Sequence, residues 1–171
     1  MNKLVWRNIG RFALLLGIQL LVLNYVYLGS YTMPMLYVLF LLMLPTSMPR
    51  IPLLLICFAT GLCIDFTTGV LGFHAMACTV VGMTRILFAD RILTRGEPII
   101  VKQPSIRSVT PQYFIAYLIL MLVIFYAVLF LAELFGSRGF GDMLLSVLCS
   151  TLTTALLAIL YQIIFIRKEA K

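Results

Sequence analysis

The sequence predicts an all-α fold, a polytopic membrane bundle of about six transmembrane helices. Three observations lead there. Hydrophobic residues make up 63% of the 171, charged residues only 11%, and mean hydropathy is +1.09. Soluble domains carry roughly 45–50% apolar and about 25% charged residues, so a soluble fold of this composition would expose apolar side chains over most of its surface. The apolar residues also come in runs near the length a helix needs to cross a bilayer, about 20 residues at 1.5 Å each. Finally, the basic residues cluster between those runs.

The first span is expected at about 12–28. The basic start before it imitates a signal peptide, but the apolar run is long for one and no small-residue cleavage site follows, so it reads as a retained span. Gly29-Ser30-Tyr31-Thr32 breaks the run, and a second span follows at about 33–46, ending near Pro45. Pro45, Pro49 and Pro52 then stop one helix and open another, since proline suits a first helical turn and not an interior. The third span is expected at about 51–64. Asp65-Phe-Thr-Thr-Gly69-Val-Leu-Gly72 makes a polar, glycine-marked turn into a fourth span at about 72–90. Spans five (about 112–132) and six (about 143–166) are free of charge throughout. The second and third runs are short for a bilayer, which fits spans tilted against neighbours, interrupted, or flanked by local thinning. The whole chain, 1–171, reads as one integral membrane domain.

Orientation follows from the positions of Lys and Arg near the span ends. With alternating sides, one face collects Lys3, Arg7, Arg11, Arg50, Arg85, Arg91, Arg95, Lys102, Arg107, Arg167, Lys168 and Lys171, leaving only Arg138 on the other. Both termini are therefore expected in the cytoplasm. Residues 91–111 form the one substantial loop, cytoplasmic in this arrangement. Its Arg91, Arg95, Lys102 and Arg107, less Glu97, give a net charge of +3, and with Arg50 they are candidate contacts for a cytoplasmic partner or an anionic leaflet. The net charge of +7 does not imply nucleic acid, because the basic residues lack a basic helix face and aromatic interleaving.

Few residues could carry chemistry. Cys57, Cys63, Cys78 and Cys149 lie in apolar runs without metal-ligand spacing and read as small packing residues. Asp65 is the acid that most demands a reason, since charge at membrane depth is costly. Two readings stand: it faces a cavity or partner helix, or it accepts backbone N–H groups in the turn as Asp does at helix starts. His74, the one histidine, is either packed and hydrogen-bonded or proton-linked to Asp65. Gly61, Gly69, Gly72 and Gly82 bracket the region and suit close helix approach or positive φ. The aromatic and methionine residues of spans two and five read as lipid-facing or interface material. No zinc-protease, hydrolase-elbow or phosphate-loop motif occurs, so no enzyme and no cofactor are expected.

The spans together with Leu44-Pro45, Pro49-Arg50 and Gly61-Leu62-x-x-Asp65-x-x-x-Gly69-x-x-Gly72-x-x-Ala75 resemble the rod shape-determining protein MreD family. The resemblance covers the chain in layout and about residues 44–85 in motif. It implies a bundle similar to the substrate-binding S-components of energy-coupling-factor transporters, placed in the bacterial inner membrane. It also implies a non-enzymatic role in cell elongation and lateral peptidoglycan synthesis. The implied partners are a bitopic MreC-type protein, the actin-like MreB filament and the wall polymerase–transpeptidase pair. Asp65, Gly69 and Gly72 are the positions that match the family motif. The alternative is a solute-binding subunit of a vitamin-type transporter, for which Asn24, Asp65, His74 and Gln162 are the polar candidates, with Ala13-x-x-x-Gly17 as a weak small-residue contact.

Overall fold

A computed structural model describes residues 2–23, 25, 31–46, 48–70, 72–93, 111–133 and 139–166. These residues are mostly helical, with no strand among them. The elements are α1 (Asn2–Ile18), continued by a π-helical turn (Gln19–Leu23), α2 (Val38–Leu42), α3 (Arg50–Thr68), α4 (Phe73–Leu93), α5 (Pro111–Glu133) and α6 (Phe140–Ile166). Three helices have segments long and apolar enough to cross a membrane: Arg50–Thr68, Pro111–Leu131 and Phe140–Phe165. Asn8–Leu23 and Phe73–Leu87 are shorter apolar helices.

Successive helices pack as neighbours, α3 on α4, α4 on α5 and α5 on α6, while α2 touches α1, α4 and α5. Polarity along α6 is inverted relative to a soluble helix. Ser146, Ser150, Thr151, Thr154 and Gln162 are buried, while Leu148, Leu152, Leu156 and Leu160 are exposed. A helix in water turns its apolar stripe inward. Apolar residues outside and small polar residues between helices are the arrangement that lipid solvation favours.

Two expectations change. The first helix begins at Asn2 rather than near residue 12, so the helix includes the basic start, with Trp6 73% exposed on it. The run 33–46, expected as a short helical span, holds only the five-residue α2. Proline at 34 and 45 confines helix to the middle, and the residues before it are irregular. This segment runs through the centre of the bundle: no residue from Met35 to Leu44 is more than 8% exposed.

Irregular backbone survives in an apolar interior only if its polar groups find partners there. Here they come from three helices. Gln19, in the π turn, donates through Nε2 to the Pro34 carbonyl at 3.0 Å and accepts the Leu36 N–H at 2.8 Å. Tyr126 on α5 donates to the Met33 carbonyl at 2.7 Å and accepts the Met35 N–H at 2.9 Å. On α6, Ser150 accepts the Met33 N–H at 3.0 Å and Thr154 accepts the Met35 N–H at 3.2 Å. Two residues of the segment thus keep pace with four residues of helix, about 6 Å of rise, as an extended chain does.

Candidate functional site

The sequence candidates converge on the α3–α4 hairpin. Thr67 and Thr68 hydroxyls donate to the Ile64 carbonyl near the end of α3, and Gly69 closes the helix with φ 73°, its N–H donating to the Asp65 carbonyl at 3.0 Å. Gly72 follows with φ 97°. Left-handed backbone of this kind favours glycine, and neither position is crowded, so conformation alone accounts for the residue type.

Gly72 precedes α4 and has no side chain with which to cap it. Asp65, one turn back on α3 and 0% exposed, fills that role from across the turn. Its Oδ1 accepts the His74 N–H at 2.9 Å, and its Oδ2 accepts the N–H groups of Gly72 and Ala75, both at 3.0 Å. These are amides of the first turn of α4, which have no partner within their own helix. A carboxyl group there also sits at the positive end of the helix dipole. The reading of Asp65 as an acceptor of backbone N–H groups describes this geometry, and the helix it serves is its neighbour in the hairpin.

Below the turn the two helices approach closely. A Cβ on Gly61 would fall 2.5 Å from the His74 carbonyl oxygen and 2.6 Å from the Ala75 nitrogen. Further along, a Cβ on Gly82 would lie 2.7 Å from Cys57 Sγ. Ala13-x-x-x-Gly17 makes no such contact, since nothing lies within 4 Å of the position a Cβ on Gly17 would take.

His74 is 6% exposed, and its ring addresses Tyr37 rather than the Asp65 carboxyl, with Nδ1 3.0 Å from the Tyr37 hydroxyl. Cys78 donates to the same hydroxyl at 3.9 Å, and the Tyr37 ring meets Phe125 edge-on. Tyr37 is thereby fixed between α4 and α5. The aromatic and methionine residues of spans two and five, expected to face lipid, include the most enclosed side chains of the bundle: Tyr37, Tyr117, Met121, Phe125 and Tyr126 are at most 1% exposed. A partly irregular segment at the bundle centre needs large side chains to fill space around it, which composition does not disclose.

The opposite end of the hairpin holds a different feature. Fifteen residues of α3 separate Arg50 from Asp65, about 22 Å at the helical rise. There a pocket of about 130 Å³ is lined by Pro45, Thr46, Met48, Arg50, Leu53, Arg85 and Ile86. Arg50 is exposed, whereas Arg85 is only 3% exposed and donates through Nη2 to the Leu44 carbonyl. The sequence analysis counted Arg85 only among the basic residues that set the orientation. The usable signal was a cation in the body of an apolar helix.

Arg95, Lys102, Arg107 and Asn24 lie outside the described residues, as does the side chain of Arg91. Gln162 is buried on α6. Among the described residues no group of three or more His, Cys, Asp or Glu is placed to hold a metal ion. No protein-family model, curated protein or solved structure matches the chain.

Proposed function

We propose that the chain is a non-enzymatic membrane scaffold of the bacterial cell-elongation machinery, of the MreD type. It crosses the inner membrane six times with both termini in the cytoplasm. It supports cell shape and lateral peptidoglycan synthesis by holding an MreC-type bitopic protein alongside the MreB filament and the polymerase–transpeptidase pair.

The motif over residues 61–75 carries this reading. Gly61, Asp65, Gly69, Gly72 and Ala75 all work within the hairpin, as close contact, cap and turn. Such a unit stiffens a surface for partners and presents no reactive group. The irregular segment supports the sixth crossing. Tyr31 lies 3.3 Å from Asp142 at the start of α6, and the Leu44 carbonyl meets Arg85 toward the far end of α4. Extended at about 3.3 Å per residue over its first part, a run of 14 residues approaches the roughly 30 Å of the hydrocarbon core.

Affinity purification of the full chain from native membranes tests the proposal. Recovery of an MreC-type bitopic protein supports it. Recovery of paired ATPases instead would assign the chain to the transporter class, and recovery of neither would remove the scaffold reading.

A further inference from the structure

We infer that Arg85 and Arg50 form a site for an anionic phosphate group at the N-terminal end of α3, with membrane phospholipid as the favoured source. The inference needs only a membrane-embedded chain and is independent of the partners proposed above.

Arg85 carries the inference. A guanidinium has five N–H donors and no acceptor, and it keeps its charge in proteins. Nη2 serves the Leu44 carbonyl and the buried Tyr117 hydroxyl lies beside the guanidinium, but among the described residues Nε and Nη1 have no acceptor within hydrogen-bond distance, although the residue is 3% exposed. A buried cation with open donors is strongly unfavourable unless something negative completes it. None of the pocket's seven lining residues is acidic, so the protein supplies no counter-charge among them.

The one other charged residue among the seven has the same sign. Arg50 lines it from the first residue of α3, and Pro49 before it makes no side-chain cap bond. The α3 N-terminus adds the positive end of its dipole beside two guanidinium groups. A phosphate offers several acceptor oxygens to such a set, and arginine suits it by geometry and charge. The pocket, at about 130 Å³, has room for more than a single water.

The surroundings favour a lipid over a free ion. Ile51 and Leu55 are 74% and 62% exposed on α3, and Met83 and Leu87 are each 61% exposed on α4. Apolar surface thus continues from both helices that bear the arginines, where acyl chains would lie once the headgroup phosphate met Arg85.

The test uses the full chain in a neutral detergent, with three probes: phosphatidylglycerol, phosphatidylcholine and inorganic phosphate. Native mass spectrometry would count bound lipid, and thermal unfolding would report stabilisation. Phosphatidylglycerol should be retained at least fivefold better than phosphatidylcholine and should raise the unfolding temperature. Arg85→Gln should abolish the preference, while Arg11→Gln on α1 should keep it. Stabilisation by inorganic phosphate alone, lost in Arg85→Gln, would keep the phosphate site and assign it a soluble source. No Arg85-dependent response to either phosphate probe would overturn the site, including the case in which Arg85 engages only an acidic protein partner. Should Arg85→Gln fail to fold, Arg50→Gln at the exposed rim decides. A twofold or greater loss of the lipid preference supports the site, and an unchanged preference overturns it.

Discussion

The Tyr126 hydroxyl on α5 donates to the Met33 carbonyl at 2.7 Å and so holds an irregular segment in the middle of a helical bundle. It also accepts the Met35 N–H and lies 2.6 Å from Thr154 Oγ1. One phenol therefore closes two backbone groups and links two helices. Tyr126→Phe should leave a part-buried carbonyl without its donor and cost about 1–2 kcal/mol. That exceeds the ~0.6 kcal/mol average of interhelical hydrogen bonds within membranes. Thr154→Val shares the Met35 N–H, so the two losses should not add. Reversible unfolding in detergent measures both, and simple additivity would separate the hydroxyls from the segment.

Asp65→Asn tests the cap. Both carboxyl oxygens accept, one from His74 and the other from Gly72 and Ala75. An amide offers one acceptor and turns an NH2 group toward donors on the other side. The substitution should therefore lower stability by about 1–2 kcal/mol. Asp65→Ala should cost more. Complementation of cell shape then has to be scored at matched membrane abundance. Loss of shape at equal abundance and stability would give Asp65 a role beyond the cap.

The glycines should separate by cause. Gly61→Ala forces a methyl group against the His74–Ala75 backbone and should cost about 1–3 kcal/mol by overpacking. Gly69→Ala and Gly72→Ala have room for a methyl group but the wrong φ, for about 1–2 kcal/mol each. Gly17→Ala meets nothing and should be neutral or slightly stabilising, since alanine is the better helix former. Equal melting temperatures for Gly61→Ala and Gly17→Ala would show that α3 and α4 do not approach as described.

Topology is open to direct reading. Reporter fusions after Ser30, Arg50, Thr68, Lys102, Ser137 and Lys171 should report outside, inside, outside, inside, outside and inside. The Ser30 and Arg50 pair is the sharp test, because the segment between them holds one short helix. The same side at both would make it a re-entrant loop and not a crossing.

How much was legible depended on the interaction involved. The runs at 112–132 and 143–166 announced α5 and α6 because a long uncharged apolar stretch depends only on local composition. The glycine-marked turn and Asp65 as an acceptor of backbone amides were also readable, since the partners lie within ten residues. The helix from Asn2 was not, because the basic residues before the apolar run look like flanking loop. Nor was the course of 33–46: two prolines and a short length fit a tilted helix as well as an irregular strand. Only the positions of Gln19, Tyr126, Ser150 and Thr154 distinguish these. Those four residues are more than ten positions away in sequence, and three of them about a hundred.

The sequence by itself determined the helical class, the apolar runs and the hairpin turn at Asp65, because hydropathy, proline and glycine act over neighbouring residues. It also placed the basic residues on alternate segments, from which the orientation is proposed. Tertiary structure decided which side chains complete the irregular segment, that Tyr37 joins His74 to Phe125, and that buried Arg85 lines a pocket with Arg50 and no acid among the described lining residues. Each of those depends on residues distant in the chain meeting where water is excluded. There an unpaired donor or charge is expensive, so the pairing that satisfies it is selected by the packed bundle as a whole.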